Sequence, residues 1–166
     1  MTGYTIRRDG EADWKLVRAI RLRALTESPD AFSSTLAAEL DLSDRDWRIR
    51  CDNESAVNYL ANDSNNEIVG IAVGAPYVEL HRTAGLFGMW IAPTARQHGI
   101  GAALVNAVVA WVRTENFHRI VLDVGSSNEA ALRLYESCGF IDAGNVPAAP
   151  KLNQNVCERQ LELSLR

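Results

Sequence analysis

Between residues 84 and 115 the apolar pattern changes period, and few folds accommodate the change. From Ala84 to Ala92 the chain reads as a strand, AGLFGMWIA, which Pro93 ends. From Gly99 to Glu115 it reads as a long helix. Gly99 and Gly101 stand at the start of that helix, although each glycine costs a helix about 1 kcal/mol relative to alanine. At a helix N-terminus several amides have no intrahelical partner and the macrodipole is positive. Without a Cβ an anion can approach that backbone closely, and phosphate is its natural occupant. Arg96 and His98 flank the loop and offer further donors. The spacing lacks the Gly-Lys-Ser/Thr of a P-loop and the first glycine of a dinucleotide fingerprint. A plain tight strand-to-helix turn is the competing reading of the two glycines alone.

The rest of the chain falls into alternating periods. A short first strand lies near Thr5, and Asp13 to Thr26 is helical, with Leu16, Val17, Ile20, Ala24 and Leu25 on the apolar stripe. Pro29 breaks it. Ser43 and Asp46 make a capping box that opens a second helix carrying Trp47 and Ile49. Two strands, 55–61 and 67–78, flank the turn cluster Asn62 to Asn66 and read as a hairpin. Residues 118–124 form a buried strand. Ser126 and Glu129 suggest a second capping box for the helix 128–138, which Gly139 stops. Residues 140–146 and 155–166 close the chain as strands. The order β-α-α-β-β-β-α-β-α-β-β predicts a single domain over residues 1–166. Its class is α/β, a mixed, mostly antiparallel sheet with flanking helices.

Composition narrows the partners. The 166 residues are 47% apolar, enough for a core. A net charge of -4, from 17 basic and 21 acidic residues, carries no electrostatic footprint for nucleic acid. Cys51, Cys138 and Cys157 are widely spaced, so neither a zinc site nor a disulfide framework is suggested. The N-terminal stretch has no apolar core of a signal peptide, and the apolar run from Ala102 to Val112 is too short to span a bilayer. The expectation is a soluble, cytoplasmic protein that binds neither membrane nor metal.

Three segments, MWIAP from Met89, ARQHGIGAAL from Ala95 and SNEAALRLYESCGF from Ser127, resemble the GNAT superfamily of N-acetyltransferases. The family's Q/R-x-x-G-x-G/A motif matches at Arg96, Gly99 and Gly101. Its later segment matches at Asn128, Tyr135, Gly139 and Phe140. The resemblance is specific from Phe87 to Phe140, and it implies a GNAT-like fold with acetyl-CoA as acetyl donor. The pyrophosphate would rest on Gln97, His98, Gly99, Ile100, Gly101 and Ala102, with Arg96 beside it. The pantetheine arm would pair with the backbone of Met89, Trp90 and Ile91, as an added strand on an open edge. That needs this strand to splay from the strand at 118–124 around a bulge, which Gly88 would ease. A backbone N–H near Met89 to Ile91 would hold the oxyanion. Asn128 would contact the pantetheine arm; as a residue on its own it also reads as a helix cap. Tyr135 would protonate the departing thiolate; on its own it also reads as a core aromatic.

The resemblance leaves the base open. Many family members place a glutamate on the strand before the glycine loop, yet AGLFGMWIA has no carboxylate. Glu79 lies just before that strand, Asp123 lies on the next one, and Glu27 and Asp30 sit between the first helices. Glu27 or ordered water is the expected base. His81 has a suitable pKa but reads as a solvated loop residue, His118 as a strand start and His98 as a phosphate neighbour. The acceptor pocket is expected from Glu27–Phe32, Tyr77–Arg82 and Val146–Lys151, with Trp90 either wall or core. Cys138 is not expected as a nucleophile, because it sits at the negative end of a helix. The expected activity is direct acetyl transfer to a primary amine of a small molecule. A protein or peptide N-acetyltransferase and a non-catalytic CoA-binding module are the alternatives, and a homodimer is an open assembly state.

Overall fold

A computed structural model describes residues 3–144 and 158–165. Within them one sheet holds seven strands: β1 (Tyr4–Arg8), β2 (Val57–Asp63), β3 (Ile68–Pro76), β4 (Thr83–Ile91), β5 (Arg119–Gly125), β6 (Ile141–Asp142) and β7 (Glu158–Ser164). Their order is β1-β2-β3-β4-β5-β7-β6, and every neighbouring pair is antiparallel except β4 with β5. Five α-helices accompany them: α1 (Trp14–Glu27), α2 (Leu36–Leu40), α3 (Asp44–Cys51), α4 (Ile100–Thr114) and α5 (Glu129–Ser137). None is long and apolar enough to cross a membrane.

Local chemistry fixes the early elements. The Asp63 carboxylate accepts from the amides of Asn65 and Glu67, both at 2.9 Å, and so closes the β2–β3 hairpin. Ser43 and Asp46 form the expected capping box of α3. Val17, Ile20, Ala24 and Leu25 bury one side of α1, whereas Leu16, expected on the same stripe, is 44% exposed. Trp47 is buried and Ile49 exposed. The short helix α2 was not expected; Thr35 caps it by accepting from the amide of Ala38 at 3.2 Å. Asn128, not Ser126, caps α5, accepting from the amide of Ala131 at 3.2 Å. On the far side of the sheet α4 buries Leu104, Val105, Val108 and Val112. It comes close because β3 offers glycines beneath it: a Cβ at Gly74 would stand 2.9 Å from the Trp111 ring. Each large aliphatic residue buried this way contributes about 1.5–3 kcal/mol.

The feature that positions the site is a parting of strands. β4 and β5 pair only at Thr83–Arg119, Ala84–Ile120 and Gly85–Val121. Beyond Gly85, β4 follows β3 instead and leaves its other edge open. A bulge accompanies the divergence: Ile71 faces Trp90 and Val73 faces Phe87, so Gly88 and Met89 together oppose Ala72. Gly88 takes φ of 57°, a conformation that a side chain resists. β7 joins the other edge of β5, with Asp123 opposite Gln160. Among the described residues of the expected strand 140–146, Ile141–Asp142 pair with β7. The Val146–Lys151 loop, Cys157 and the first residues of the expected last strand lie outside the described residues.

Candidate active site

The loop after β4 is built to present amides. A single 3-10 turn, Pro93–Ala95, leads into it, and Gln97 and Gly99 take φ of 65° and 79°. No amide from Gln97 to Ala102 donates to a group among the described residues; the first helical bond runs from the Ala103 amide to the Gly99 carbonyl at 3.1 Å. These donors stand at the positive end of a 15-residue helix. The space beside Gly99 is open, since a Cβ there would meet only the Tyr4 hydroxyl, at 3.5 Å. A row of free amides that opens through the exposed residues Gln97, His98 and Gly99, with the Tyr4 hydroxyl at its edge, fits a diphosphate.

The bareness of Gly101 also has a packing reason. A Cβ on it would stand 2.8 Å from Leu134 Cδ2 and 3.2 Å from Ile91 Cδ1, so its bareness lets α4 lie against α5 and β4. Arg96 is also engaged elsewhere. Its Nε donates to the Ile91 carbonyl at 2.9 Å and its Nη2 to Glu27 Oε2 at 3.0 Å, which ties the loop to the end of β4 and to α1. His98 is exposed, with Nδ1 3.3 Å from the Ala95 carbonyl.

A cavity of about 420 Å³ occupies the gap where β4 and β5 diverge. Its wall includes Phe32, Phe87, Met89, Asp123, Asn128 and Tyr135. α5 delivers two of the expected residues there. Asn128 spends its Oδ1 on the helix cap, which fixes the side chain at the cavity edge. Tyr135 packs edge-on against Phe140, with ring centres 5.9 Å apart. Burial, with a smaller contribution from Cys138, pushes the Tyr135 phenol above its ordinary range, so it holds its proton at neutral pH.

The acidic groups divide by partner. Glu39 on α2 is 2% exposed and lies between Arg21, which grips it with two nitrogens, and Arg50 at 3.4 Å. Burial pushes its carboxyl up, but the Arg21 hydrogen bond and the charges of both arginines outweigh that and hold it below the usual range. Glu27, the expected base, does not line the cavity. Its Oε2 accepts from Ser28, from Trp90 Nε1 at 2.9 Å and from Arg96, and these contacts hold its carboxyl low. A carboxylate so engaged is a weak base, and its geometry makes it a brace between α1 and β4. Trp90 is core rather than wall.

Asp123 was noted from the sequence only as an acid on the next strand. Its Oδ2 accepts from the Tyr77 hydroxyl at 3.1 Å, and that oxygen in turn accepts from Gln160 Nε2 at 3.1 Å. Oδ1 is buried with no donor among the described residues. Tyr77 stacks on Phe87 at 6.1 Å, and the Phe87 ring lies where a Cβ on Gly85 would be. Of the expected loop 77–82, His81 and Arg82 line a separate cleft with His118, Arg119 and Glu162, at the paired end of β4 and β5. Burial raises the Cys138 thiol, and a hydrogen bond with Ser137 offsets part of that.

A profile of the Acetyltransferase (GNAT) family matches residues 19–140. The chain belongs to this family. The match takes in β4, the amide-rich loop, α4, β5 and α5, and so covers every element that bounds the gap except β7. Among curated relatives, spermidine N(1)-acetyltransferase of Vibrio cholerae is 30% identical over 89 residues, 53% of this chain and 51% of that protein. Phosphinothricin N-acetyltransferase of Alcaligenes faecalis is 29% identical over 113 residues, 64% of this chain and 56% of that protein. The chain thus spans about half the length of these relatives. A GNAT acetyltransferase from Streptococcus pneumoniae superposes with a TM-score of 0.79 at 20% identity, covering 99% of this chain and 100% of that one. Vibrio cholerae spermidine N-acetyltransferase, in complex with CoA and spermine, superposes with a TM-score of 0.72 at 18% identity, covering 97% and 95%.

Proposed function

We propose that this chain is an acetyl-CoA-dependent N-acetyltransferase that passes the acetyl group directly to a primary amine of a small molecule. The observation that carries the reading is the continuity of two unsatisfied surfaces. The free amides from Gln97 to Ala102 follow, after one 3-10 turn, the edge of β4 that β5 leaves unpaired beyond Gly85, where Arg96 holds the Ile91 carbonyl. An anion with an extended amide arm matches both at once. Acetyl-CoA has that shape, and when bound it supplies an acetyl thioester.

Each residue then has a task. The amides of Gln97, His98, Gly99, Ile100, Gly101 and Ala102 hold the diphosphate, while Gly99 keeps the approach clear. The backbone of Met89, Trp90 and Ile91 offers strand pairing to the arm and a donor to the carbonyl where negative charge develops. Asn128 offers its side-chain amide nitrogen. Tyr135 holds a proton at its hydroxyl for the leaving sulfur; its raised pKa keeps the proton in place but makes it a weaker acid than a free phenol. Arg96 and Glu27 act as positioning residues, clamping the loop onto β4. A small-molecule acceptor is supported by the spermidine and phosphinothricin acetyltransferases among its relatives and by a cavity of about 420 Å³ beside the gap.

A specific observation favours a second reading, a CoA-binding module without turnover: β4 carries no carboxylate and Glu27 is engaged. Free thiol release separates the two. With acetyl-CoA and a panel including spermidine, phosphinothricin and an alanine-terminated peptide, the enzyme reading expects CoA release with at least one amine. Tight acetyl-CoA binding without release across the panel rejects it.

A further inference from the structure

Two residues of the cavity wall bury a polar atom without a partner among the described residues, Trp47 at Nε1 and Asp123 at Oδ1, and of these Asp123 carries the charge. A carboxylate oxygen buried without a donor is costly, and native proteins leave few such groups. Here the cost is not relieved by a neighbour. The cavity's arginines, Arg21 and Arg50, are both committed to Glu39. The other oxygen of Asp123 is held by Tyr77, itself held by Gln160, so the carboxylate is fixed in orientation by two successive hydrogen bonds. Asp123 also stands two residues past Val121, the last residue of β5 that pairs with β4. It therefore sits at the opening of the gap, beyond the last pairing of β5 with β4 and on the same cavity wall as Phe87.

Its surroundings select a kind of ligand. Phe87 and Tyr135 share the cavity wall with it. Aromatic faces and a carboxylate with one free oxygen suit a cation that can donate hydrogen bonds. We infer that Asp123 is the group that receives the acceptor substrate as an ammonium ion, its Oδ1 taking a hydrogen bond from the nitrogen that will be acetylated once that nitrogen has given a proton to solvent and regained its lone pair. Tyr77 and Gln160 are positioning residues that aim the carboxylate. The inference rests on the proposed acetyltransferase reading and adds to it a specificity: amines charged at neutral pH are favoured over weakly basic amines such as anilines.

Methylammonium is the probe. In protein labelled with ¹³C at the aspartate carboxyls, the resonance that disappears in Asp123→Asn is assigned to Asp123. Titrating wild type with methylammonium should shift it saturably, and tetramethylammonium, which has no N–H to donate, should shift it far less. In parallel, steady-state turnover of the best amine in the panel should show KM for the amine raised at least about tenfold in Asp123→Asn, with acetyl-CoA affinity within about twofold. Asparagine retains an acceptor for Tyr77, which favours folding of the variant. Tyr77→Phe should raise the amine KM by a smaller factor with kcat nearly kept, whereas a purely structural role would change stability without this split. A carboxyl resonance indifferent to methylammonium, or an unchanged amine KM in Asp123→Asn, overturns the inference while leaving acetyl transfer intact. Absence of turnover in wild type with every amine rejects the enzyme reading instead, and the carboxyl titration still decides the role of Asp123.

Discussion

Glu39 offers the sharpest test of how the cavity is held. It is a buried acid between two arginines, and Arg21, its closer partner, has a side chain only 11% exposed. Arg21 also lies over the Phe32 ring at 5.1 Å, and its Nη1 stands 2.7 Å from where a Cβ on Gly88 would be. The pair thus props the bulge of β4 from the side of α1. Replacing Glu39 by alanine leaves Arg21 as a buried cation without a counter-charge, at a cost of about 3–5 kcal/mol. Arg50, 44% exposed, loses a partner that solvent already screens and adds less than about 1 kcal/mol. The sum, about 4 kcal/mol, is a large share of the roughly 5–15 kcal/mol that holds a domain together. Urea unfolding should show the midpoint falling accordingly with the slope unchanged. Removing both charges in Arg21→Met/Glu39→Met should recover most of the loss, because the penalty lies in the stranded cation and not in the missing bond. A Glu39→Ala variant within about 1 kcal/mol of wild type, or a double variant no more stable than that single one, refutes this account.

The same carboxyl gives a pH prediction. Because Glu39 is held below its unfolded value, its contribution is complete above that value, about 4.3, and is lost as pH falls through the lower native one. Thermal melts should therefore be flat near neutrality and fall on acidification below about pH 4.3, and the fall should be shallower in Glu39→Gln; equal slopes contradict it. Gly99→Asp sets a negative side chain before the free amides and a strained φ behind it, so acetyl-CoA affinity measured by calorimetry should drop at least about tenfold. Tyr135→Phe should lower kcat about 100-fold with acetyl-CoA affinity nearly unchanged, and wild-type turnover would exclude the proton-donor role. Trp90→Phe removes a donor from Glu27 and should cost about 1 kcal/mol in urea unfolding, with no effect expected if that contact is incidental.

What could be read from the residues alone was periodic or local. The strand-to-helix change around Gly99, the hairpin at Asp63 and the capping box of Ser43 carry their signals within a few positions. α2 escaped because five residues hold too little periodicity, although Thr35 and its bond to Ala38 are a cap in plain view. Gly99 and Gly101 look equivalent in sequence, and only the position of Leu134 shows that Gly101 clears a helix contact while the space at Gly99 is open up to the Tyr4 hydroxyl. Glu27 and Asp123 were ranked the wrong way round for the cavity. Nothing local says that Trp90 and Arg96 occupy Glu27, or that β4 and β5 separate just before Asp123. Those facts depend on contacts between residues 63 and 69 positions apart and on a divergence of strands, neither of which leaves a periodic trace.

Among the described residues the ladder between β4 and β5 is three residue pairs long, backed by the side-chain bonds of Arg119 to Thr83 and of Tyr77 to Asp123. In mechanical language the sheet is two plates sharing a short hinge, with the wedge between them left for a guest to fill. An amide-bearing chain seated in that wedge would act as mortar. Hydrogen exchange along the facing edges of Phe87–Ile91 and Asp123–Gly125 should then slow together when acetyl-CoA is added, and the empty protein should flex along the same line.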